Sequence, residues 1–406
     1  MKIVQICAVL LAVGTARAEN WPGWRGPRGD GSSAEANVPV AWSATSNVAW
    51  VADIPGLGHG SPIVWGDRIF LPTAIGEKQE RCLVCLDRRT GKILWQRAVV
   101  VSPLEGKHGL NSFASGTPAT DGRHVYCAFL DRTNMVVAAY DFDGKQQWLV
   151  RPGEFYSKHG FCTSPVLFKD EVIVNGDHDG DSYIAALDRA TGRTLWKIPR
   201  ENKTRSYCTP LIRELAGKTQ LILSGDKSVA SYDPATGARH WIIDGPTEQM
   251  VASLVYNEKA GLIFYTGGFP ELHILAIKPD GSGNVTKTHI AWRTMKGAGY
   301  VPSPVSIGDY FVNVTDFGVL TCFQARDGNI LWSEKLGNTH ASLVTANGLV
   351  YSLADSGLMT IFKPGPAYEV VTQNALGEKC FASPVISEGQ LFLRSDTHLY
   401  CIGGRL

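Results

Sequence analysis

A dipeptide that keeps returning constrains this chain of 406 residues more than any other feature. Serine or threonine followed by proline occurs at Ser61-Pro62, Thr117-Pro118, Ser164-Pro165, Thr209-Pro210, Ser303-Pro304 and Ser383-Pro384. Two degenerate copies, Ser253-Leu254 and Ser342-Leu343, fill the gaps, so eight copies succeed one another at steps of 39 to 56 residues. A period of that length marks stacked units, each of which needs its neighbours to bury its faces. A second signature, D-x-x-T-G-x-x-x-W, runs in phase with the first. It leads from Asp87 to Trp95, Asp188 to Trp196 and Asp233 to Trp241, with shorter forms ending at Trp148 and Trp332 and a looser one at Trp292. Tyr368 is expected to replace the tryptophan of the seventh unit.

Each unit reads as four strands. A short apolar strand follows Ser/Thr-Pro, then a turn such as Asp121-Gly122 or Asn347-Gly348, then an alternating run such as Leu349 to Ser352. Paired Asn-Gly and Asp-Gly residues between alternating runs are hairpin signals. A third strand, the Thr-Gly turn and the tryptophan strand complete the unit. No sustained helical period interrupts this pattern. The last unit, from Ser383, stops at Leu406 without a tryptophan strand, while the start has a spare one around Trp50. The expected fold is therefore all-β, an eight-bladed β-propeller of four-stranded blades, closed by an N-terminal strand that completes the last blade and removes an exposed sheet edge. The structural tryptophans would be Trp50, Trp95, Trp148, Trp196, Trp241, Trp292 and Trp332, filling the wedges between blades.

Before the ring come two other segments. Residues 1–18 carry Lys2, an apolar run from Ile3 to Val13 and the small-residue pair Ala16 and Ala18, the pattern of a cleaved signal peptide. Cleavage after Ala18 would place the protein in the periplasm or outside the cell. No later stretch is apolar enough to span a bilayer. Residues 19–46, with Trp21, Trp24 and Trp42, are expected to form a latch on the propeller of residues 47–406. Charge is balanced, with Lys+Arg 39 against Asp+Glu 38, which argues against a nucleic-acid partner. Cys85, Cys322 and Cys401 recur at one strand position where other units carry Ala, Ser or Thr, so they read as small core residues. Cys82 and Cys85 share one strand, with no second pair to complete a zinc site.

The Ser-Pro strand, the run from Ala186 through Thr191-Gly192 to Trp196, and the count of eight resemble the pyrroloquinoline quinone (PQQ) propeller repeat of the quinoprotein alcohol dehydrogenase-like superfamily. The resemblance covers residues 47–406 and is nearest in type to non-catalytic propellers like the outer-membrane protein assembly factor. The opening Trp21-Pro-Gly-Trp24-Arg25-Gly26-Pro27 is similar to that of many secreted bacterial propellers. In the family's enzymes the quinone is chelated to calcium, stacked on a tryptophan, often with adjacent cysteines on its other face, and served by an aspartate base and an arginine. This sequence has no adjacent cysteines, and its tryptophans are assigned to repeats, to the N-terminal segment or, for Trp65, to a hairpin. None is left to face the channel.

The loops that precede each Ser/Thr-Pro should gather at one end of the axis. They carry His59, His108, Asn111, His159, Arg205, Tyr207, Tyr300 and His340, the candidate ligand-binding residues. His59, His108 and His159 come from consecutive units, so a three-histidine metal site is conceivable, but loop histidines bonded to backbone and water are the simpler reading. Asp177 to Asp181 alternates acids like a calcium loop yet lacks the downstream glutamate, and reads as a turn. No catalytic residue, metal or cofactor is assigned. The expectation is a secreted, monomeric, non-catalytic scaffold in the cell envelope, binding a protein, glycan or small ligand. The alternative is a quinoprotein dehydrogenase using PQQ and calcium to oxidise an alcohol or sugar. A tethered role in outer-membrane assembly would need a lipid-anchor cysteine after the leader, and none stands there.

Overall fold

A computed structural model describes residues 18–43 and 46–404. The expected leader lies outside the described residues, but for its last position. Eight antiparallel sheets follow one another around an axis. Blade 1 runs Ile63–Trp65, Arg68–Ile75, Glu80–Asp87, Ile93–Val101, and blades 2 to 7 repeat this order from the centre outwards. Blade 8 takes Val385–Ser387, Gln390–Arg394 and His398–Ile402 from the end of the chain and Val48–Asp53 from its start, with Trp50 opposite Cys401. The ring closes as the repeat implies. Blade 4 departs from four strands: Gly283–Asn284 adds a fifth, parallel to its outer strand.

The repeated motif has a division of labour. Asp87 Oδ1 accepts the Thr90 backbone N–H and hydroxyl at 2.9 and 2.7 Å, and Asp188 does the same for Thr191, which shapes the turn. The glycine of the turn serves the preceding blade. Trp50, Trp95, Trp148, Trp196 and Trp292 lie against Gly91, Gly144, Gly192, Gly237 and Gly328, where a Cβ would approach the ring to 2.5–2.9 Å. Those glycines also hold φ of +72 to +79°, so a side chain is excluded twice. The indole N–H donates to a carbonyl of the same neighbouring turn, as from Trp95 to Phe142 O at 2.8 Å and from Trp148 to Arg189 O at 3.0 Å. Opposite each tryptophan in its own sheet sits a small residue: Cys85, Ala139, Ala186, Ser231, Ala276, Cys322 or Cys401. This explains the recurring cysteine position.

Blade 7 reverses the sizes. Ile361 occupies the small-residue position and faces Thr372, so the register equivalent of tryptophan is Thr372 and not Tyr368. Tyr368 precedes the strand and packs against Trp332 of blade 6, ring centres 5.0 Å apart. The reason is topological. A tryptophan docks on the next blade's turn, and blade 8 has none there, because its outer strand comes from the other end of the chain. The N-terminal segment fills the place: Asn374 of blade 7 donates to Val40 O and accepts from Trp42 N–H, and Trp42 is buried in the same cluster as Ile361.

The serine signature forms a collar around the axis. The backbone N–H of Ser61 donates to Thr117 Oγ1, Thr117 to Ser164, Ser253 to Ser303, Ser303 to Ser342, Ser342 to Ser383 and Ser383 back to Ser61, all at 2.9–3.1 Å. Six of the eight repeat hydroxyls thus satisfy a buried donor of the blade before; those of Thr209 and Ser253 do not.

Candidate functional site

One end of the channel is shut. Trp21 exchanges backbone hydrogen bonds with Val64, Thr120 N–H donates to Pro22 O, and Ser33 and Gly31 bridge to Thr345, so residues 21–33 cross from blades 1 and 2 to blade 7. The buried Arg25 guanidinium donates to the carbonyls of Ser303, Pro304 and Leu343 and of Asp30. Asp30 in turn pairs with Arg213 of blade 4. A segment tied to so many inner strands is a plug.

Above the plug lies a cavity of about 1000 Å³. The Ser/Thr collar forms its waist, and Trp24 reaches it from the plug, donating its indole N–H to Ser253 Oγ at 2.9 Å. This corrects the expectation that no tryptophan faces the channel. Nothing in the repeat could place Trp24 there, because the segment that carries it lies outside the repeat.

The candidate loop residues converge. His59, His108, Asn111, His159, Tyr207, Tyr300 and His340 all line the cavity. Arg205 does not. It stands behind the wall, paired with Asp179 at 2.7 Å and donating to Gln249 Oε1 at 2.9 Å, while Gln249 donates to the Tyr300 hydroxyl. Tyr207 is bonded to Ser157. Gln249 and the aromatic residues Phe269, Phe317 and Phe381 were not anticipated as lining. Gln249 and Phe381 stand in the loops that lead to Ser253 and Ser383, so the repeat could have pointed to them; Phe269 and Phe317 lie in hairpin loops outside the motif, and only the assembled ring assigns them a side.

The histidines differ in character. His59 stacks on Phe381 with ring centres 4.7 Å apart. Burial, then the charges of Arg394, Lys107 and His340, push its pKa down to about 4, so it is neutral. His340 lies on Phe381 at 5.3 Å, and its Nδ1 is 2.8 Å from Asp355 Oδ2. Burial opposes its charge, but the hydrogen bond to Asp355 together with the charges of Asp355 and Asp316 outweighs it and raises the pKa. His108 and His159 sit edge to face at 5.7 Å. His59 is turned to Phe381 and Asp396, so the three-histidine arrangement does not form; among the described residues no three His, Cys, Asp or Glu side chains converge as a metal would need. The acids of the calcium-like loop are each matched by a cation: Asp177 with Arg200, Asp179 with Arg205, Asp181 with Lys203.

Calcium chelated to a quinone takes six or more oxygen ligands at about 2.3–2.6 Å, carboxylates foremost. Among the described residues Asp316 is the single carboxylate in the lining, and its two oxygens already accept the backbone N–H groups of Tyr300 and Val301 at 2.8 and 3.0 Å. Trp24 offers a stacking face, but among the described residues no free carboxylate accompanies it to anchor the metal, and the wall does not fit that group.

The family model described as outer membrane protein assembly factor BamB matches residues 78–255 and 273–402. The chain belongs to this family. BamB from Moraxella catarrhalis superimposes with a TM-score of 0.61 at 15% identity, covering 88% of this chain and 98% of that one. The quinohemoprotein alcohol dehydrogenase of Comamonas testosteroni superimposes with a TM-score of 0.64 at 12% identity, covering 97% and 82%. A europium-containing methanol dehydrogenase gives 0.58 at 11% identity, over 95% and 98%. Such identities speak for the shared fold alone. The polyvinylalcohol dehydrogenase of Sphingopyxis sp. (strain 113P3) is 23% identical over 270 residues, 56% of this chain and 39% of that relative, so the match spans well under half of that enzyme. BamB-family membership and dehydrogenase likeness thus rest on one scaffold, and the distinction between them lies in the cavity.

Proposed function

We propose that this chain is a non-catalytic binding propeller of the cell envelope or cell exterior, and that the axial cavity holds its ligand. One observation carries the reading. The wall gathers hydrogen-bonding and aromatic side chains from loops all around the ring over a tryptophan floor, while its one carboxylate is occupied by backbone. Such a mix of apolar surface and a few placed polar groups suits binding of an organic molecule or a partner's projecting segment. The leader pattern of residues 1–18 supports export, and the BamB description supports a protein partner.

The second reading, a quinoprotein dehydrogenase acting on an alcohol or sugar, is favoured by Trp24 at the floor and by the dehydrogenase relatives. Purified protein supplied with PQQ and calcium separates the two. The expected result is no protein-bound quinone absorbance and no dye reduction with alcohols or aldoses. Sustained turnover would replace the first reading by the second.

A further inference from the structure

Basic side chains gather on one side of the cavity: His108, Lys158 and His159 line it, and Lys107 stands just outside the lining with its ammonium 5.2 Å from the centre of the Phe113 ring. The tripeptide Lys-His-Gly occurs twice, at residues 107–109 and 158–160, in the loops that lead into blades 2 and 3. The ring brings the two copies together. The His108 backbone N–H donates to His159 O at 3.3 Å, and Asn111 Nδ2 donates to the same carbonyl at 2.7 Å. Gly160 makes the approach possible: its φ is +85°, and a Cβ there would lie 2.9 Å from Lys107 Cβ. The Leu110 backbone N–H donates to His108 Nδ1 at 3.2 Å, which leaves that ring's proton on Nε2.

None of the four basic groups, Lys107, His108, Lys158 and His159, forms an ion pair with a carboxylate among the described residues, whereas six other histidines have a carboxylate within 4 Å. Burial, then the charges of Arg205, Lys158 and His108, hold His159 below the usual histidine range, with Asp179, the partner of Arg205, opposing. The lining also includes the apolar Phe269 and Leu272 from a hairpin loop of blade 5 and Phe317 from one of blade 6.

We propose that the paired Lys-His-Gly loops form an anion site, and that the axial cavity takes a ligand with a carboxylate or phosphate head on an apolar ring or chain. This rests on reading the cavity as the binding site. Ammonium and imidazole N–H groups supply charge-assisted hydrogen bonds to the head. The low-dielectric wall strengthens them while the body covers apolar surface.

Three matched probes test it by calorimetric titration of the full-length protein: naphthalene-2-carboxylate, 2-naphthyl phosphate and 2-naphthylmethanol. At low salt one or both anions should bind about tenfold or more tightly than the alcohol, with the advantage shrinking as salt rises. The double variant Lys107→Ala/Lys158→Ala should bring the anions to the alcohol's affinity and leave the alcohol unchanged. Trp24→Leu should weaken every probe that binds. Equal binding of anions and alcohol, or an anion preference that survives the double variant, overturns the anion site and leaves the cavity reading standing. No binding by any probe, or none affected by Trp24→Leu, overturns both.

Discussion

A single tryptophan in this ring belongs to two blades. Trp95 stands opposite Cys85 in its own sheet, lies against Gly144 of the next, and donates to Phe142 O there. Trp95→Ala should cost about 3–5 kcal/mol of stability, the usual range for truncating a buried aromatic. Gly144→Ala should also destabilise, although it adds only a methyl group, because the φ of +79° and the indole 2.7 Å away both resist it. Urea unfolding of both variants checks this; a Gly144→Ala protein as stable as the parent would contradict the docking role. The collar works by smaller increments. The Ser303 hydroxyl meets one buried N–H, that of Ser253, so a Ser303→Ala change is worth about 1 kcal/mol.

The element that closes the ring, Val48–Asp53, is held by backbone pairing and by a polar cluster at its end. His398 lies between Glu378 and Asp53, at 2.8 and 3.0 Å. The hydrogen bond to Glu378 raises the His398 pKa, with burial opposing. Burial alone would raise Glu378, but hydrogen bonds from Ser395, Tyr400 and His398 bring it down to about 2. The signs follow from linkage. The His398 contribution is fully present below the unfolded value of about 6.5 and is lost as pH rises through its raised folded value. The Glu378 contribution is present above its unfolded value of about 4.3 and is lost as pH falls through about 2. Closure is therefore firmest between about pH 4.5 and 6.5. His398→Ala should lower the melting temperature more at pH 5.5 than at pH 9, and an equal loss at both would rule the cluster out as a clasp.

On the scale of the whole molecule, the N-terminal segment turns an open channel into a cup. Arg25 is its anchor: it is fully enclosed, burial pushes its pKa down to about 10 against Asp30, and its donors meet carbonyls of blades 6 and 7. Arg25→Ala strips those carbonyls of their partner and should cost about 2–4 kcal/mol. It should also free residues 19–33 for proteolysis, which limited digestion of the folded protein would detect. If the variant stays as stable and as resistant as the parent, the anchor lies elsewhere in the segment, for instance at Trp21.

Eight Ser/Thr-Pro copies and the phased tryptophans were enough to read the architecture, the closure by Trp50's strand and the loops that face the axis. They suffice because blade packing is periodic, and each copy repeats the same local demand for a turn glycine, a small partner and a wedge-filling ring. The exceptions to the period were not legible. Tyr368 looks like the missing tryptophan until the register puts Thr372 in that place. Arg205 stands in the right loop but spends its charge on Asp179 behind the wall. Trp24 reads as a latch residue, yet it floors the cavity. Which side chains share the cup, and the meeting of two Lys-His-Gly loops within it, depend on contacts between segments far apart in the chain, and only the closed ring brings those segments together.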